Sequence, residues 1–327
     1  MTGSAMSDSA LAKQGAGRGL AYQSRWLERG AEAIVKLVSL ASVASAVLIL
    51  IFVGKEALPI LTSPEVHKEL NPAQLFLPYP GAGAMWQPVS DVPKYNIIPL
   101  FVGTLKVTVV ALVVAVPLSV ASAIYVCEFA PRSLREYIKP VIELLAGIPS
   151  VVIGFFALIV LATWVQRIFG AEHRLNALVA GFGLAFAICP VIFSVSEDAL
   201  RAVPSSYRTA AVALGSTPSQ TLLRVILPAA LPGIAASVVL GFGRAIGETM
   251  IVVLASGNAA LLDASLGHST RTVTATIAQE LGEVVVGSTH YHVLFALGAL
   301  LFLSTLVVNI AGERIVFGMR RRLGGGP

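Results

Sequence analysis

The sequence predicts an all-α integral membrane protein with six transmembrane helices. Only 13% of its 327 residues are charged and 56% are hydrophobic, whereas a soluble domain carries about a quarter charged residues. Mean hydropathy is +0.81. Six apolar stretches are each long enough to cross a hydrocarbon core about 30 Å thick, which takes about 20 helical residues.

Residues 1–33 are read as an N-terminal tail. Its first part, Met1–Gly19, is rich in Gly, Ser and Ala, has little to pack and is expected to be disordered. The first span, Ile34–Val53, lacks a small-residue cleavage site and is read as a retained helix. Residues 54–98 follow, with Pro59, Pro64, Pro72, Pro78, Pro80, Pro88 and Pro93. Prolines at that density forbid long helices and predict an irregular, partly extended segment. That segment either caps an outer mouth, touches an external partner or serves as a spacer.

The second to sixth spans are Pro99–Val126, Val141–Ala162, Leu175–Val195, Gly233–Ser256 and Tyr291–Ala311. In the third, Gly147-Ile148-Pro149-Ser150 predicts a kink. Between the fifth and sixth, a helical pattern over Thr272–Leu281 predicts a short surface helix. Residues 99–311 thus form the membrane-embedded body, with an inner loop at 197–232, and 312–327 a C-terminal tail.

Orientation follows from Lys and Arg, which collect on the cytoplasmic side. The flanks on the side of the termini hold Lys13, Arg18, Arg25, Arg29, Arg132, Arg135, Lys139, Arg201, Arg208, Arg224, Arg314, Arg320, Arg321 and Arg322. The opposite flanks hold only Lys55, Lys68, Lys94, Arg167, Arg174 and Arg271. Both termini are therefore expected in the cytoplasm.

Several function classes drop out. The net charge of +5 is dispersed between apolar runs, so it reads as topology signal and not as a nucleic-acid surface. No phosphate loop of the G-x-x-x-x-G-K-[ST] type occurs, so any ATP must be hydrolysed by another chain. Cys127 and Cys189 are too few for a disulfide framework and are read as apolar packing residues. His268, His290 and His292 show no complete ligand spacing, so neither metal nor cofactor is expected.

The inner loop carries a mechanism in its local chemistry. Tyr207, Ala210, Ala211 and Leu214 recur at helical spacing and define one apolar face. Gly215 stands where a helix ends in left-handed backbone. Thr217 then caps a second helix, Pro218 suits its first position and Gln220 completes a capping box. Leu227-Pro228 is expected to end or kink that helix. A rigid helix-turn-helix at the cytoplasmic surface suits the transfer of motion from an ATPase, and suits a plain interfacial hairpin as well.

Ionisable residues within spans are expensive and point to function. Arg244 lies about 16 Å into the fifth span, near the midplane. Glu248, one turn further on the same face, is expected within reach of a salt bridge. Such a pair is either a purely structural link or the lining of a polar path. In the second case the guanidinium fork offers donors to a tetrahedral oxyanion, while Glu248 compensates the empty path and keeps binding weak enough for release. Lys106 is expected to extend toward the outer headgroups and Glu143 to lie at the inner interface.

Two stretches resemble known signatures. Ala210-Ala211-x3-Gly215-x9-Val225-Ile226-Leu227-Pro228 resembles the E-A-A-x3-G-x9-I-x-L-P loop of bacterial ABC importer permeases, with Thr209 in place of the Glu and Val225 in place of the Ile. Gly243-Arg244-Ala245-Ile246-Gly247-Glu248-Thr249-Met250 resembles the R-A-x-G-E-T signature of phosphate-specific permeases. Trp86-Gln87-Pro88, Gly103-Thr104-Leu105, Glu143 to Ser150, Arg271 to Ala278 and His290-Tyr291 are similar to the PstC type in particular.

The resemblance spans roughly residues 34–318. It implies the six-span, MetI-like fold of type I ABC importers and a role as permease subunit for inorganic phosphate. It implies Arg244 and Glu248, taken here together with Thr249, as translocation residues. It also implies Ala210, Ala211, Leu214 and Gly215 as the ATPase-docking surface. The implied partners are a homologous PstA-type permease, a PstB-type ATPase dimer and a periplasmic phosphate-binding protein, in a bacterial inner membrane. An ABC permease for molybdate or sulfate and an ATP-independent anion transporter remain open alternatives.

Overall fold

The computed structural model describes the backbone of residues 5–322 and the side chains of residues 29–321 apart from Arg132 and Arg320. The chain divides into two compact units, Met1–Lys55 and Glu56–Pro327. Six helices among the described residues are long and apolar enough to cross a membrane: Arg29–Thr62, Ile98–Phe129, Ser150–Phe169, Ala177–Arg201, Pro218–Gly247 and Thr289–Met319.

The described residues of the first unit form one helix, α1 (Ala5–Ala57), whose last two residues fall in the second unit. It starts inside the tail expected to be disordered, where Ala, Leu and Lys favour helix; residues 1–4 lie outside the described residues. Its apolar side chains, from Ile34 to Phe52, are exposed.

In the second unit the prolines of the outer segment initiate structure. Pro59 and Pro64 occupy the first turns of α2 (Pro59–Thr62) and α3 (Pro64–Glu69), and Pro72 opens a 3₁₀ turn behind the Asn71 cap. A proline at such a position loses no hydrogen bond, because its N–H would have no intrahelical acceptor. Trp86–Gln87 (β1) then pairs antiparallel with Lys94–Tyr95 (β2). Ile60, Val66, Leu70, Leu75, Trp86 and Tyr95 join Val273, Val293, Leu294 and Leu297 in one buried cluster. Buried Asn96 holds the end of the segment, donating to the carbonyls of Gln74 and Leu77 and accepting from Ile98 N. The irregular segment expected from the proline count is therefore a packed cap.

The second span is α4 (Ile98–Ile124), ending in a π-helical turn, Tyr125–Phe129. An amphipathic helix, α5 (Arg132–Ala146), comes next, and the third span begins only at α6 (Ser150–Phe156), continuing through a π-helical turn into α7 (Ala162–Phe169). The expected start at Val141 is thereby corrected. Pro149 is extended (φ −58°, ψ 137°) and lacks an N–H, so Gly147-Ile148-Pro149 separates two helices where a kink in one was expected. Glu143 sits exposed on α5, outside the span.

The remaining elements are α8 (Ala177–Arg201), α9 (Ser205–Ala213), α10 (Pro218–Thr221), α11 (Leu227–Gly247), α12 (Met250–Ala255), α13 (Val273–Glu280) and α14 (Thr289–Arg322). A π-helical turn over Leu222–Ile226 joins α10 to α11 without a break. Leu227-Pro228 does not end this helix, since Pro228 falls in the turn that the π geometry has already widened. The short helix expected over Thr272–Leu281 is present as α13, capped by Thr272, but Val273, Ala275 and Thr276 are fully buried, so it is a core element and not a surface one.

The centre of the second unit is α4 against α8, with Ala111, Ala115, Ala180, Leu184 and Ile188 fully buried. Small residues permit the approach. A Cβ on Gly181 would stand 2.4 Å from a Val110 methyl. The Ser119 hydroxyl donates to the Cys189 carbonyl across the same seam at 2.9 Å, as expected where small and polar side chains hold helices together in lipid. Gly181→Leu is accordingly expected to destabilise the fold by about 1–3 kcal/mol or more. The measurement is the Tm and yield of the detergent-solubilised protein, and an unchanged Tm would show that the seam opens freely.

Candidate functional site

The fifth span does not run to Ser256. Helix α11 ends at Gly247, the backbone at Glu248 is extended (φ −70°, ψ 135°), and α12 restarts at Met250. Gly247 is a poor helix former, and the groups freed by the break find local partners. The Glu248 carboxylate accepts from the N–H of Thr249 at 3.1 Å and of Met250 at 3.2 Å, which caps the start of α12. The Glu248 carbonyl accepts from the Thr274 hydroxyl of α13 at 2.8 Å. The Thr249 hydroxyl turns back to the Gly247 carbonyl at 3.4 Å.

This break changes the relation expected between Arg244 and Glu248. They are not successive turns of one helix, and among the described residues no ion pair joins them. Glu248, half-buried, directs its carboxylate to backbone N–H groups. Arg244 is exposed and, among the described residues, has neither an ion pair nor a hydrogen bond. It lines a cleft of about 1020 Å³ between α11 and α14, with Gly243 and Gly247 on its own helix and Thr305, Asn309 and Glu313 opposite. Its donors are therefore available to an anion in that cleft.

The inner hairpin forms from purely local signals. Gly215 has φ +79°, its N–H bonds the Val212 carbonyl at 2.9 Å, and Ser216 N–H bonds the Ala211 carbonyl at 3.1 Å. This is the Schellman closure of α9, which needs left-handed backbone at Gly215. Thr217 and Gln220 form both bonds of the capping box of α10. On α9, Ala211 packs inward while Tyr207, Ala210 and Leu214 face out, Leu214 being 87% exposed. Arg208 holds the hairpin to Glu128 at 2.6 Å, and Arg135 donates to the neighbouring Cys127 carbonyl at 2.7 Å. The hairpin is thus a fixed platform with an apolar tip.

Three groupings escaped sequence reasoning because each includes at least one member far from the others in the chain. Buried Glu197 meets Arg201 at 2.5 Å and Lys139 of α5 at 3.7 Å. Against the cap formed by residues 59–97, Glu280 accepts from Trp86 Nε1 at 3.0 Å, pairs with Arg271 at 2.9 Å and meets His290 at 2.9 Å, which joins three separate stretches of the sequence. Glu172, His173 and His268 also converge. Lys106, expected to reach outward, donates to the Ser265 carbonyl at 3.0 Å.

Comparison with known proteins places this architecture. Residues 115–321 match the family described as binding-protein-dependent transport system inner membrane component. The probable ABC transporter permease protein YqgH of Bacillus subtilis is 35% identical over 286 residues, covering 86% of this chain and 89% of that protein. The phosphate transport system permease protein PstC of Mesorhizobium japonicum is 35% identical over 258 residues, covering 73% and 78%. Among solved structures, a chain of the bacterial alginate ABC transporter in complex with its pentasaccharide-bound periplasmic protein superposes with a TM-score of 0.58 at 16% identity, covering 89% of this chain and 96% of that one. A chain of the inward-facing MetNI methionine ABC transporter gives 0.51 at 20% identity, covering 68% and 94%. At those identities the structural likeness concerns the fold alone. The fold and the relatives agree: this chain belongs to the family of binding-protein-dependent transport system inner membrane components.

Proposed function

We propose that the chain is a permease subunit of an ATP-driven importer for inorganic phosphate in a bacterial inner membrane. The observation that carries the substrate side is Arg244, a guanidinium that has no ion pair or hydrogen bond among the described residues, on the wall of a cleft beside a broken helix. Irregular backbone at membrane depth is tolerated only where protein or a water-filled cavity surrounds it, and broken helices are a recurrent way to build transport sites. The several relatives named as PstC phosphate permeases, at 32–35% identity, support phosphate over other oxyanions.

In this reading the translocation residues are Arg244, Glu248 and Thr249, with the carboxylate of Glu248 assigned to holding the break open. Arg244 binds phosphate bidentately but weakly, so that it passes on. The path is shared with a homologous PstA-type permease. Ala210, Leu214 and Gly215 present the exposed tip to a PstB-type ATPase, with Ala211 packed inward behind them as part of the same docking element, and two copies of that ATPase hydrolyse ATP on separate chains. A periplasmic phosphate-binding protein delivers the anion from the outer side, and both termini lie in the cytoplasm. No covalent chemistry falls to this chain. The capped hairpin favours ATP-driven import over an ATP-independent anion transporter, which has no use for it.

Uptake of labelled phosphate by the reconstituted complex, with and without ATP and with sulfate or molybdate as competitors, tests the assignment. ATP-dependent uptake resistant to both competitors is the expected result. Arg244→Gln is expected to lower uptake roughly tenfold to hundredfold, the worth of a charged hydrogen bond of about 1.5–3 kcal/mol, while the complex still co-purifies. Normal uptake in that variant takes Arg244 out of the path. Gly215→Val forces a β-branched residue into left-handed backbone and is expected to detach or uncouple the ATPase. Full co-purification with normal uptake would remove the hairpin from the docking role.

A further inference from the structure

Beyond the transport path, the outer loops bring together side chains that the proposed function leaves unused. One loop, residues 170–176, joins α7 to α8; the other lies between α12 and α13. From the first come Glu172 and His173, from the second His268. One ligand atom from each lies within 4.8 Å of the other two. Glu172 Oε2 is 2.8 Å from His268 Nε2, and the His173 and His268 rings meet edge to face with centroids 5.2 Å apart.

The second nitrogen of His268 is also committed. Asp263 hydrogen-bonds His268 Nδ1, and Asp263 is itself set by accepting from Ser265 N at 2.9 Å. A carboxylate on one imidazole nitrogen fixes the tautomer and turns the other nitrogen outward as a ligand, the arrangement found behind metal-bound histidines. The loops that carry the cluster are joined through backbone. His173 N bonds the Gly267 carbonyl at 3.4 Å, Ala177 N the His268 carbonyl at 3.2 Å and Leu178 N the Leu266 carbonyl at 3.2 Å. Glu172 and His173 are exposed and His268 half-buried, so an ion has access from water.

We propose that Glu172, His173 and His268 form a binding site for a divalent transition-metal ion, with zinc as its reference occupant and Asp263 as the orienting carboxylate. Two imidazoles and a carboxylate are a donor set suited to zinc, and three protein ligands leave further positions to water. Donors at zinc bond lengths of about 2.0–2.2 Å lie about 3.4 Å apart in a tetrahedron, so the Glu172–His268 pair, now 2.8 Å apart, opens by about 0.6 Å and His173 moves in by at most about 1.4 Å, within the reach of exposed side chains. The carboxylates of Glu172 and Asp263 balance the charge of the ion. Lys106 and Arg174 are engaged elsewhere, the Lys106 ammonium with the Ser265 carbonyl and the Arg174 guanidinium with the Leu158 carbonyl. Bound metal would clasp the loop that starts α8 to the loop that precedes α13.

The test uses the full complex, carried on an affinity tag without histidines, stripped with chelator and titrated with zinc by calorimetry and elemental analysis. Wild type is expected to bind one more zinc per copy of this chain than a His173→Gln/His268→Gln double variant, and cobalt in its place is expected to give ligand-field bands that the double variant lacks. Asp263→Asn is expected to weaken binding by 10–100-fold. Glu172→Gln, a change at an exposed side chain, keeps the fold and is expected to weaken zinc binding while zinc-free Tm stays that of wild type. His290→Gln is the control, with unchanged zinc uptake. Equal zinc uptake by wild type, the double variant and Glu172→Gln overturns the proposal. So does a zinc-induced rise in Tm that is the same in all three.

Discussion

In a hydrocarbon environment no water is at hand to complete a backbone hydrogen bond, and the architecture of this chain turns on where that requirement is relaxed. Between Gly247 and Met250 the fifth span gives up its helical bonds. The carboxylate of Glu248 and the hydroxyl of Thr274 take over the freed N–H and C=O groups. Leaving such groups unmade would cost several kcal/mol each. The consequence falls on Arg244, since the break turns the Glu248 carboxylate toward the N–H groups of Thr249 and Met250 and, among the described residues, no ion pair joins it to Arg244. A guanidinium unpaired among the described residues and the broken helix are two sides of one arrangement.

Much of the fold is legible in the sequence because spans and caps are local events. The six apolar runs locate six helices, and Thr217, Pro218, Gln220 and Gly215 announce the hairpin that forms. The boundaries were less legible. Val141 to Ala146 adds apolar residues to the third run, yet belongs to α5, whose apolar face is only one side of a surface-lying helix. Counting apolar residues cannot separate such a face from the start of a span. Glu248 and Thr249 read as ordinary helical positions, and what decides otherwise includes Thr274, on another element. The prolines of 54–98 rightly exclude long helices there, but proline density alone does not show that Pro59, Pro64 and Pro72 fall where a missing N–H does no harm and so open short helical turns.

The candidate site divides along the same line. The hairpin residues are set by bonds within a few positions, so their placement follows from sequence order. Arg244 could be singled out as an ionisable residue in an apolar run, but its neighbours Thr305, Asn309 and Glu313 come from α14. No spacing rule brings them together. The same holds for His173 and His268, which lie on loops separated by the five helices α8 to α12. Each histidine alone has the look of a surface residue, and only the fold makes them neighbours.

The uninterrupted course of the helix from Pro218 to Gly247 has a mechanical consequence. These 30 residues form a rod about 45 Å long at 1.5 Å per residue. Its base is fastened to the capped hairpin and its tip carries Arg244 and ends at the break. A tilt of about 5° at the base swings the tip by about 4 Å, more than the width of a water molecule. Under the proposed function, a small rocking movement at the hairpin would thus be magnified into a displacement of several ångströms at the Arg244 wall of the cleft.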